Sequence, residues 1–295
     1  MKQATTSVIL ILIGFSGFLS AQERTEESFI PNYAVAGSYF SWGGESDVEN
    51  GAGTFQNLEY GAEANIPVFM REGFRMTAGV KYRHNTFDFS GAPLPFASTE
   101  LDLQRIDIPI NAWIDLGQRW KFWARLQPGW ASDFDNLTSD DFTLSSLALL
   151  SYKWNATTKV AFGAYYSRDL GEERILPALG FIFEPGPQLS LALTFPRAQL
   201  VYAPSPDCLI SSQVLLNGAG WNITDPAGGS EDVDLNYRAI RAGFGFDRRL
   251  KGPVWGYVDG GFQFGQEIEM GEGANSVKLE LDPSPYATTG IKVRF

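Results

Sequence analysis

The chain has 295 residues, of which 23 are basic and 34 acidic, so its formal net charge is −11 at pH 7. This acidic balance argues against a nucleic-acid partner, because binding to a phosphate backbone needs clustered positive charge. Glycine (31 residues) and aromatic residues (14%) are frequent, which is typical of chains made of strands and tight turns.

The first segment of the chain, residues 1–21, has the pattern of a secretory signal peptide. Lys2 precedes an uncharged, largely apolar run from Ser7 to Leu19, and cleavage is predicted after Ala21. The run is too short to cross a bilayer as a helix. We therefore predict an exported protein whose mature chain spans residues 22–295 and folds as one domain.

The mature chain alternates apolar and polar residues with the period of two that marks β-strands. The pattern is clear in residues 58–66, 74–82, 120–130 and 142–152. Many of these runs reach ten residues or more, whereas strands of soluble sheets centre on about five or six. A strand that crosses a membrane in a barrel needs about nine to eleven residues, with an apolar outer face.

In two places the alternation slips by one residue, at Gln104–Arg105 and near Ala239 to Arg241. A β-bulge shifts the parity of a strand locally without ending it. The sequence therefore predicts a bulge at each of these places.

The connections alternate between short turns and longer, acidic, glycine-rich loops, as in transmembrane barrels with short periplasmic turns and longer external loops. Two proline-rich fragments, at 184–187 and 203–206, are both predicted to be periplasmic turns, with a reversal at 194–197 between them. The fold class is thus predicted to be all-β, a closed antiparallel transmembrane β-barrel of 12 to 14 strands, with 14 favoured.

Strand parity assigns side chains to the two faces of this barrel. The polar set is predicted to project into the lumen: Glu59, Glu63, Arg75, Lys81, Arg83, Arg105, Asp107, Asn111, Lys121, Arg125, Asp259, Lys292 and Arg294. Tryptophans beside the short turns are predicted to form an interfacial belt: Trp113, Trp120, Trp154 and Trp255.

The last residues present one apolar face, made of Thr289, Ile291, Val293 and Phe295. With the signal peptide and the amphipathic strands, this ending resembles that of bacterial outer-membrane β-barrels. The resemblance implies that these four residues are the signal read by the barrel-assembly machinery, and that outer-membrane lipid is a partner. The stretch from Leu176 to Pro204 also resembles an uncharacterised family of outer-membrane barrels, which brings no known activity.

Residues that could carry chemistry are few. His84 is the only histidine, so it is the one candidate base for a barrel lipid hydrolase, but no serine motif accompanies it. Acidic clusters at 45–49 and 133–141 lack the spacing and glycine of a calcium-binding loop. We therefore expect no enzyme activity, no cofactor and no metal site.

Three functions stay open at the level of sequence. The preferred interpretation is a passive, porin-like channel for small polar solutes in the outer membrane of a Gram-negative-type bacterium. The first alternative is a structural or adhesive barrel that binds partners through acidic external loops. The second is a secreted soluble β-sandwich that binds a ligand in a cleft.

Overall fold

Every regular element of the described chain is a β-strand. The computed structural model describes residues 28–31, 34–49, 53–91, 100–167, 174–224, 232–271 and 276–295, so the predicted signal peptide lies outside the described residues and stays a prediction. Within these ranges no helix is long and apolar enough to cross a membrane.

Seventeen strand segments form one continuous sheet. They are β1 (Ala34–Gly43), β2 (Ser46–Asp47), β3 (Thr54–Arg71), β4 (Phe74–Ser90), β5 (Glu100–Asp107), β6 (Ile110–Asp115), β7 (Trp120–Ser132), β8 (Phe142–Lys153), β9 (Thr158–Ser167), β10 (Arg174–Gly186), β11 (Leu189–Thr194), β12 (Arg197–Ser205), β13 (Cys208–Ile223), β14 (Val233–Lys251), β15 (Val254–Met270), β16 (Val277–Leu281) and β17 (Ser284–Arg294).

The seventeen segments make fourteen strands of a closed barrel. Segments β1 and β2 both pair with β3, β5 and β6 both pair with β4 and β7, and β16 and β17 both pair with β15, so each couple is one interrupted strand. The barrel closes where β1 runs antiparallel to β17, from Ala34↔Arg294 to Gly43↔Tyr286. The prediction of a closed antiparallel barrel with fourteen strands is therefore confirmed, and a soluble β-sandwich is excluded.

Between the fourteen strands, every connection of two or four residues except 195–196 lies at the end of the barrel that holds Ala34 and Arg294, and we call this end the turn end. The two-residue gaps at 44–45, 108–109 and 282–283 interrupt single strands and are not counted here. The opposite end carries the longer connections, and we call it the loop end. Segments β11 and β12 are short strands joined through residues 195–196, and turns at 187–188 and 206–207 flank them. The proline-rich region thus has the predicted arrangement of two turns and one reversal.

The outward face of the barrel is apolar over most of its height. Large side chains point away from the lumen and stay exposed, including Phe244 at 73%, Ile66 at 63% and Phe262 at 60%. The outward row of β3 from Leu58 to Val68 covers ten residue steps, about 25 Å of height for a strand with the usual barrel tilt. Soluble proteins rarely expose so large an apolar patch, so this surface suits the hydrocarbon core of a membrane.

The pattern of the two faces inverts towards the loop end. There the outward side chains are charged, as with Asp88, Asp102 and Glu267, and the inward side chains are apolar and buried. The inward set forms one core, and its larger members are Phe55, Phe87, Phe89, Leu101, Leu103, Trp221, Ile223, Leu235, Tyr237, Ile268, Met270, Leu279 and Leu281. We call this set the loop-end core.

The loop-end core fills the axis of a narrower barrel. Phe87 on β4 lies 5.5 Å from the rings of both Trp221 on β13 and Tyr237 on β14, and Phe55 on β3 lies 5.8 Å from Tyr237. These contacts cross from one wall to the other. Nine strands surround this core, because β7 and β13 meet in a parallel contact at Ser132↔Asn222. A barrel of about eight strands is filled by its own side chains, and this part is filled in the same way.

The other five strands, β8 to β12, end below the contact between β7 and β13, and we call them the low wall. Among the described residues, β12 pairs with β13 only as far as Arg197↔Leu215, and the next pairing on that edge of β13 is Asn222↔Ser132. The wall of the barrel is therefore lower on this side than on the side that surrounds the loop-end core.

Candidate functional site

The thirteen residues predicted to line the lumen all lie on the inward face of the barrel. Their strand positions place them below the loop-end core, and cross-strand register joins them into rows such as Glu63↔Lys81↔Asp107 and Asn111↔Arg125. Their exposure varies with depth. Glu63 is exposed to the lumen, whereas Arg105 and Asp107 are buried.

A polar network lies directly below the loop-end core and is centred on Glu59. The Glu59 carboxylate accepts hydrogen bonds from the Tyr39 hydroxyl and from the Asn85 amide, the latter at 3.1 Å. Arg83 and Arg241 lie within electrostatic range of the same carboxylate. This buried acid therefore accepts hydrogen bonds from two strands, β1 and β4, and its charge is balanced by arginines on β4 and β14.

Two buried glutamines continue the network around the wall. Gln263 donates from its amide to the Ser284 hydroxyl at 3.0 Å, and Gln266 donates to the Ser46 hydroxyl at 2.9 Å. Gln266 also accepts a hydrogen bond from Tyr237, whose ring belongs to the loop-end core. The polar network and the loop-end core are thus directly connected by a hydrogen bond.

Arg105 and Asp107 form an ion pair inside the same layer. The Arg105 Nε lies 2.9 Å and 3.1 Å from the two carboxylate oxygens, and each side chain is only 1% exposed. Both residues face inward as predicted, but they are buried against each other on one strand, so they do not line an open passage.

The lower lumen, towards the turn end, holds more accessible ion pairs. Arg294 lies 2.7 Å from the Asp247 carboxylate, and Lys292 stands 3.5 Å from the ring centroid of Tyr257. Further pairs join Lys121 to Asp115 at 3.2 Å and Lys159 to Glu184 at 3.0 Å. The lower lumen is therefore charged and accessible to water.

One wall of the lumen differs from the rest because most inward side chains in its middle part are apolar or small. In the middle of β8 to β11 the inward positions include Leu147, Leu149, Ala161, Gly163, Leu176, Ala178, Gly180, Ile182 and Ala192. Polar inward residues border this set: Ser151, Tyr165, Ser190 and Thr194, with Lys153, Lys159 and Glu184 nearer the turn end. The outward positions on these strands are also largely apolar, so alternation is weak here. We call this inward set the apolar wall.

The four tryptophans of the predicted belt divide between the two faces. Trp120 and Trp154 are exposed on the outward face, where Trp120 contacts Tyr152 at 4.7 Å. Trp113 shares the inward row with Arg75 and stacks on Trp123, whose indole N–H reaches the Asn111 amide oxygen at 3.4 Å. The belt assignment of Trp113 is wrong, because Trp113 has the strand parity of Asn111.

Trp255 is also misassigned to the belt, since it is 0% exposed and points inward. It packs with Ala203 and Leu209 and is covered by Phe29 and Ile30 of the segment that precedes β1. The Phe29 amide donates to the Pro187 carbonyl at 3.0 Å. Because Trp255 lies beside a turn, the sequence placed it correctly near the turn end of the barrel. Its strand parity decides whether it faces lipid or the lumen.

His84 lies on the outward face near the loop end, not in the lumen. Its ring stacks on Tyr60 at 4.6 Å, and its Nε2 lies 3.1 Å from an Asp102 oxygen and 3.3 Å from the Thr86 hydroxyl. The Thr86 hydroxyl itself donates to Asp102 at 2.8 Å. Because acid and hydroxyl share one ring nitrogen, the histidine is not placed between them as a relay for nucleophilic catalysis.

The acidic loops hold no metal-ligand cluster among the described residues. In the loop after β7, Asp141 accepts from the Thr138 amide and Asp133 accepts from the Thr224 amide at 2.9 Å. These carboxylates tie the loop to β13 and to itself. The terminal row of Thr289, Ile291 and Val293 faces outward on β17, as its parity requires.

Comparison with known proteins gives a family but no activity. The sequence matches the family described as "Domain of unknown function (DUF6268)" over residues 18–294. Comparison with curated proteins found no match.

Among solved structures, the chain is similar to the COG4313 outer membrane channel from Pseudomonas putida F1, with 9% identity, coverage of 93% of this chain and 99% of that one, and a TM-score of 0.46. It is similar to the P. putida toluene transporter TodX, with 10% identity, coverage of 90% and 91%, and a TM-score of 0.44. The translocator domain of the autotransporter NalP from Neisseria meningitidis gives 12% identity, coverage of 88% of each chain and a TM-score of 0.37. At these scores the likenesses assign no function to this chain.

Proposed function

Because the chain belongs to the DUF6268 family of unknown function, its role must come from its own geometry, and we propose that it is a passive outer-membrane channel for small solutes. The observation that carries the proposal is a charged, water-accessible lumen inside a barrel whose exterior is apolar. The outward row ending at Phe295 then serves barrel assembly, and the exterior contacts outer-membrane lipid.

The path through this channel passes over the low wall. The loop-end core fills the axis between nine strands, so a solute from outside cannot follow the axis. Strands β8 to β12 end lower, which leaves their inward face as the side of the lumen nearest to the exterior. The charged side chains further down suit the small polar solutes that the sequence indicates.

Single-channel recording in planar bilayers tests the channel, with two variants on one strand as a matched pair. Ala161 on β9 faces the lumen, and Ala164 on the same strand faces outward. Ala161→Trp is expected to lower the conductance by roughly twofold or more, because an indole ring takes up cross-section in a narrow pore. Ala164→Trp is expected to leave the conductance unchanged.

Heat-modifiable migration on a gel shows that each variant is folded before it is recorded. Absence of conductance steps from folded wild-type protein would reject the channel. It would favour the second candidate, a structural barrel, for which the buried Arg105–Asp107 pair and the loop-end core are the supporting observations.

A further inference from the structure

The basic side chains of the protein are concentrated inside the barrel, and the acidic side chains are concentrated outside it. The described inward strand positions below the loop-end core carry thirteen bases and seven acids, although the whole chain is strongly acidic. The bases are Arg75, Lys81, Arg83, Arg105, Lys121, Arg125, Lys153, Lys159, Arg197, Arg241, Arg249, Lys292 and Arg294. The acids are Glu59, Glu63, Asp107, Asp115, Glu184, Asp247 and Asp259. The lumen is therefore positive, and the acidic surplus lies on the outer surface and in the loops.

Two of the lumen arginines make their hydrogen bonds and ring contacts with neutral groups. Arg125 Nε donates to the Asn111 amide oxygen at 2.8 Å, and its guanidinium lies 5.4 Å from the centroid of the Trp123 ring. Arg197 Nη2 donates to the Gln213 amide oxygen at 2.5 Å. None of the described carboxylates lies within ion-pair distance of Arg125 or Arg197; Glu63 acts on Arg125, and Asp259 and Asp247 act on Arg197, only over longer distances. Neither guanidinium is therefore occupied by a direct ion pair.

Arg241 gives a second, independent indication. Its side chain is only 6% exposed and donates to Gln263 at 3.2 Å and to Ser41 at 3.3 Å, while its guanidinium lies over the Tyr286 ring. One of its terminal nitrogens is buried and has no hydrogen-bond partner among the described residues. A buried N–H donor without an acceptor is costly, so Arg241 keeps unused donor capacity in the polar network beside the lumen.

The apolar wall lies between two of these arginines. Arg125 is on β7, directly beside β8, and its cross-strand partner is Leu147 of the apolar wall; its neighbour Trp123 is the partner of Leu149. Arg197 is on β12, directly beside β11 at the other edge of the apolar wall. A solute that enters over the low wall therefore contacts the apolar wall, which has a guanidinium group at each of its two edges.

We infer that the lumen selects small organic anions, with the anionic group on Arg125 or Arg197 and the hydrocarbon part on the apolar wall. This inference rests on the proposed channel function and adds the class of solute. Planar guanidinium groups bind carboxylates through paired N–H donors, which suits a small carboxylate. Clefts lined by one sign of charge also raise the local concentration of the oppositely charged solute.

Binding to the folded, detergent-purified mature chain tests the inference directly. Benzoate is expected to quench the tryptophan fluorescence in a saturable manner, because Trp113 and Trp123 lie beside Arg125 in the lumen. Benzylamine has the same ring with the opposite charge and is expected to bind at least about tenfold more weakly. Chloride at matched ionic strength shows whether an inorganic anion is enough.

The double variant Arg125→Gln/Arg197→Gln is expected to weaken benzoate binding about tenfold or more, because each lost contact is charge-assisted. Lys278→Gln is the matched control, since Lys278 lies on the outer surface near the loop end and pairs with Glu269 at 3.2 Å. It is expected to bind benzoate like the wild type. Equal binding of benzoate and benzylamine, equal binding of benzoate and chloride, or no effect of the double variant would overturn the inference.

Conductance of the same samples separates this inference from the proposed function. Benzoate binding without any channel would support the anion site and reject the channel. A channel whose reversal potential in a potassium chloride gradient shows no preference for anions, and which does not bind benzoate, would support the channel and reject the anion site.

Discussion

Replacing Asp107 by alanine is expected to lower the free energy of unfolding by about 3–5 kcal/mol, the cost of breaking a buried ion pair by removing one partner. Asp107 and Arg105 are each 1% exposed and share two short contacts. The substitution leaves a guanidinium in a site that offers little water. Denaturant unfolding of the protein in lipid vesicles, followed by tryptophan fluorescence, measures the change.

Two controls show whether the loss comes from an uncompensated charge. The double variant Arg105→Met/Asp107→Leu removes both charges and is expected to cost much less than Asp107→Ala, since apolar replacements of buried pairs are often nearly neutral. Lys278→Ala breaks an exposed pair with Glu269 and is expected to cost less than about 1 kcal/mol. A loss below about 1 kcal/mol for Asp107→Ala would mean that water reaches Arg105.

Replacing Phe87 by alanine is expected to have two effects, because Phe87 is the ring that joins the walls of the loop-end core. It is 0% exposed and contacts Phe55, Trp221 and Tyr237 at ring distances of 5.2, 5.5 and 5.5 Å. Truncation of a buried phenylalanine costs about 3–5 kcal/mol. The cavity also weakens the seal of the axis, so the conductance of single channels is expected to rise.

Phe244→Ala is the matched control for Phe87→Ala. Phe244 is 73% exposed on the outward face, where lipid chains fill the space that the ring leaves. It is expected to cost less stability and to leave the conductance unchanged. If Phe87→Ala leaves both stability and conductance at wild-type values, the loop-end core does not close the axis.

The strands and the closure of the barrel could be predicted because, over most of the height of the barrel, the outward residues of each strand face lipid and the inward residues face water. From Leu58 to Val68 the outward positions are apolar or aromatic, and the period of two is unbroken. The short strands β11 and β12 were also predictable, because proline cannot donate to a sheet and marks their turns.

The loop-end core was missed because it inverts this rule within the same strands. Leu101, Leu103, Arg105 and Asp107 all face inward, so the apparent slip at Gln104–Arg105 is a change from an apolar to a polar interior, and the predicted bulge there is wrong. The same change occurs on β14 between Ala239 and Arg241. A bulge does lie opposite, in β15, where Gly265 has a φ of 55° and the register shifts between Arg238 and Ile240.

The sequence could predict which residues of the candidate site face inward, but it could not predict which of these residues contact each other. Parity gave the face of Arg125, and only the fold shows that Asn111 and Trp123 hold it and that Leu147 lies beside it. Arg197 was not selected at all, since its strand is short and reads as a turn region. Its proximity to the apolar wall depends on the order of strands around the barrel.

Spin labels at the neighbouring positions Val258 and Asp259 test whether alternate side chains of each strand face hydrocarbon and an aqueous lumen. Val258 is exposed on the outward face of β15, and Asp259 faces the lumen. For the protein in lipid vesicles, the label at 258 is expected to collide mainly with dissolved oxygen and the label at 259 with a water-soluble nickel complex. The reverse pattern, or equal access of both reagents to both positions, would contradict this arrangement.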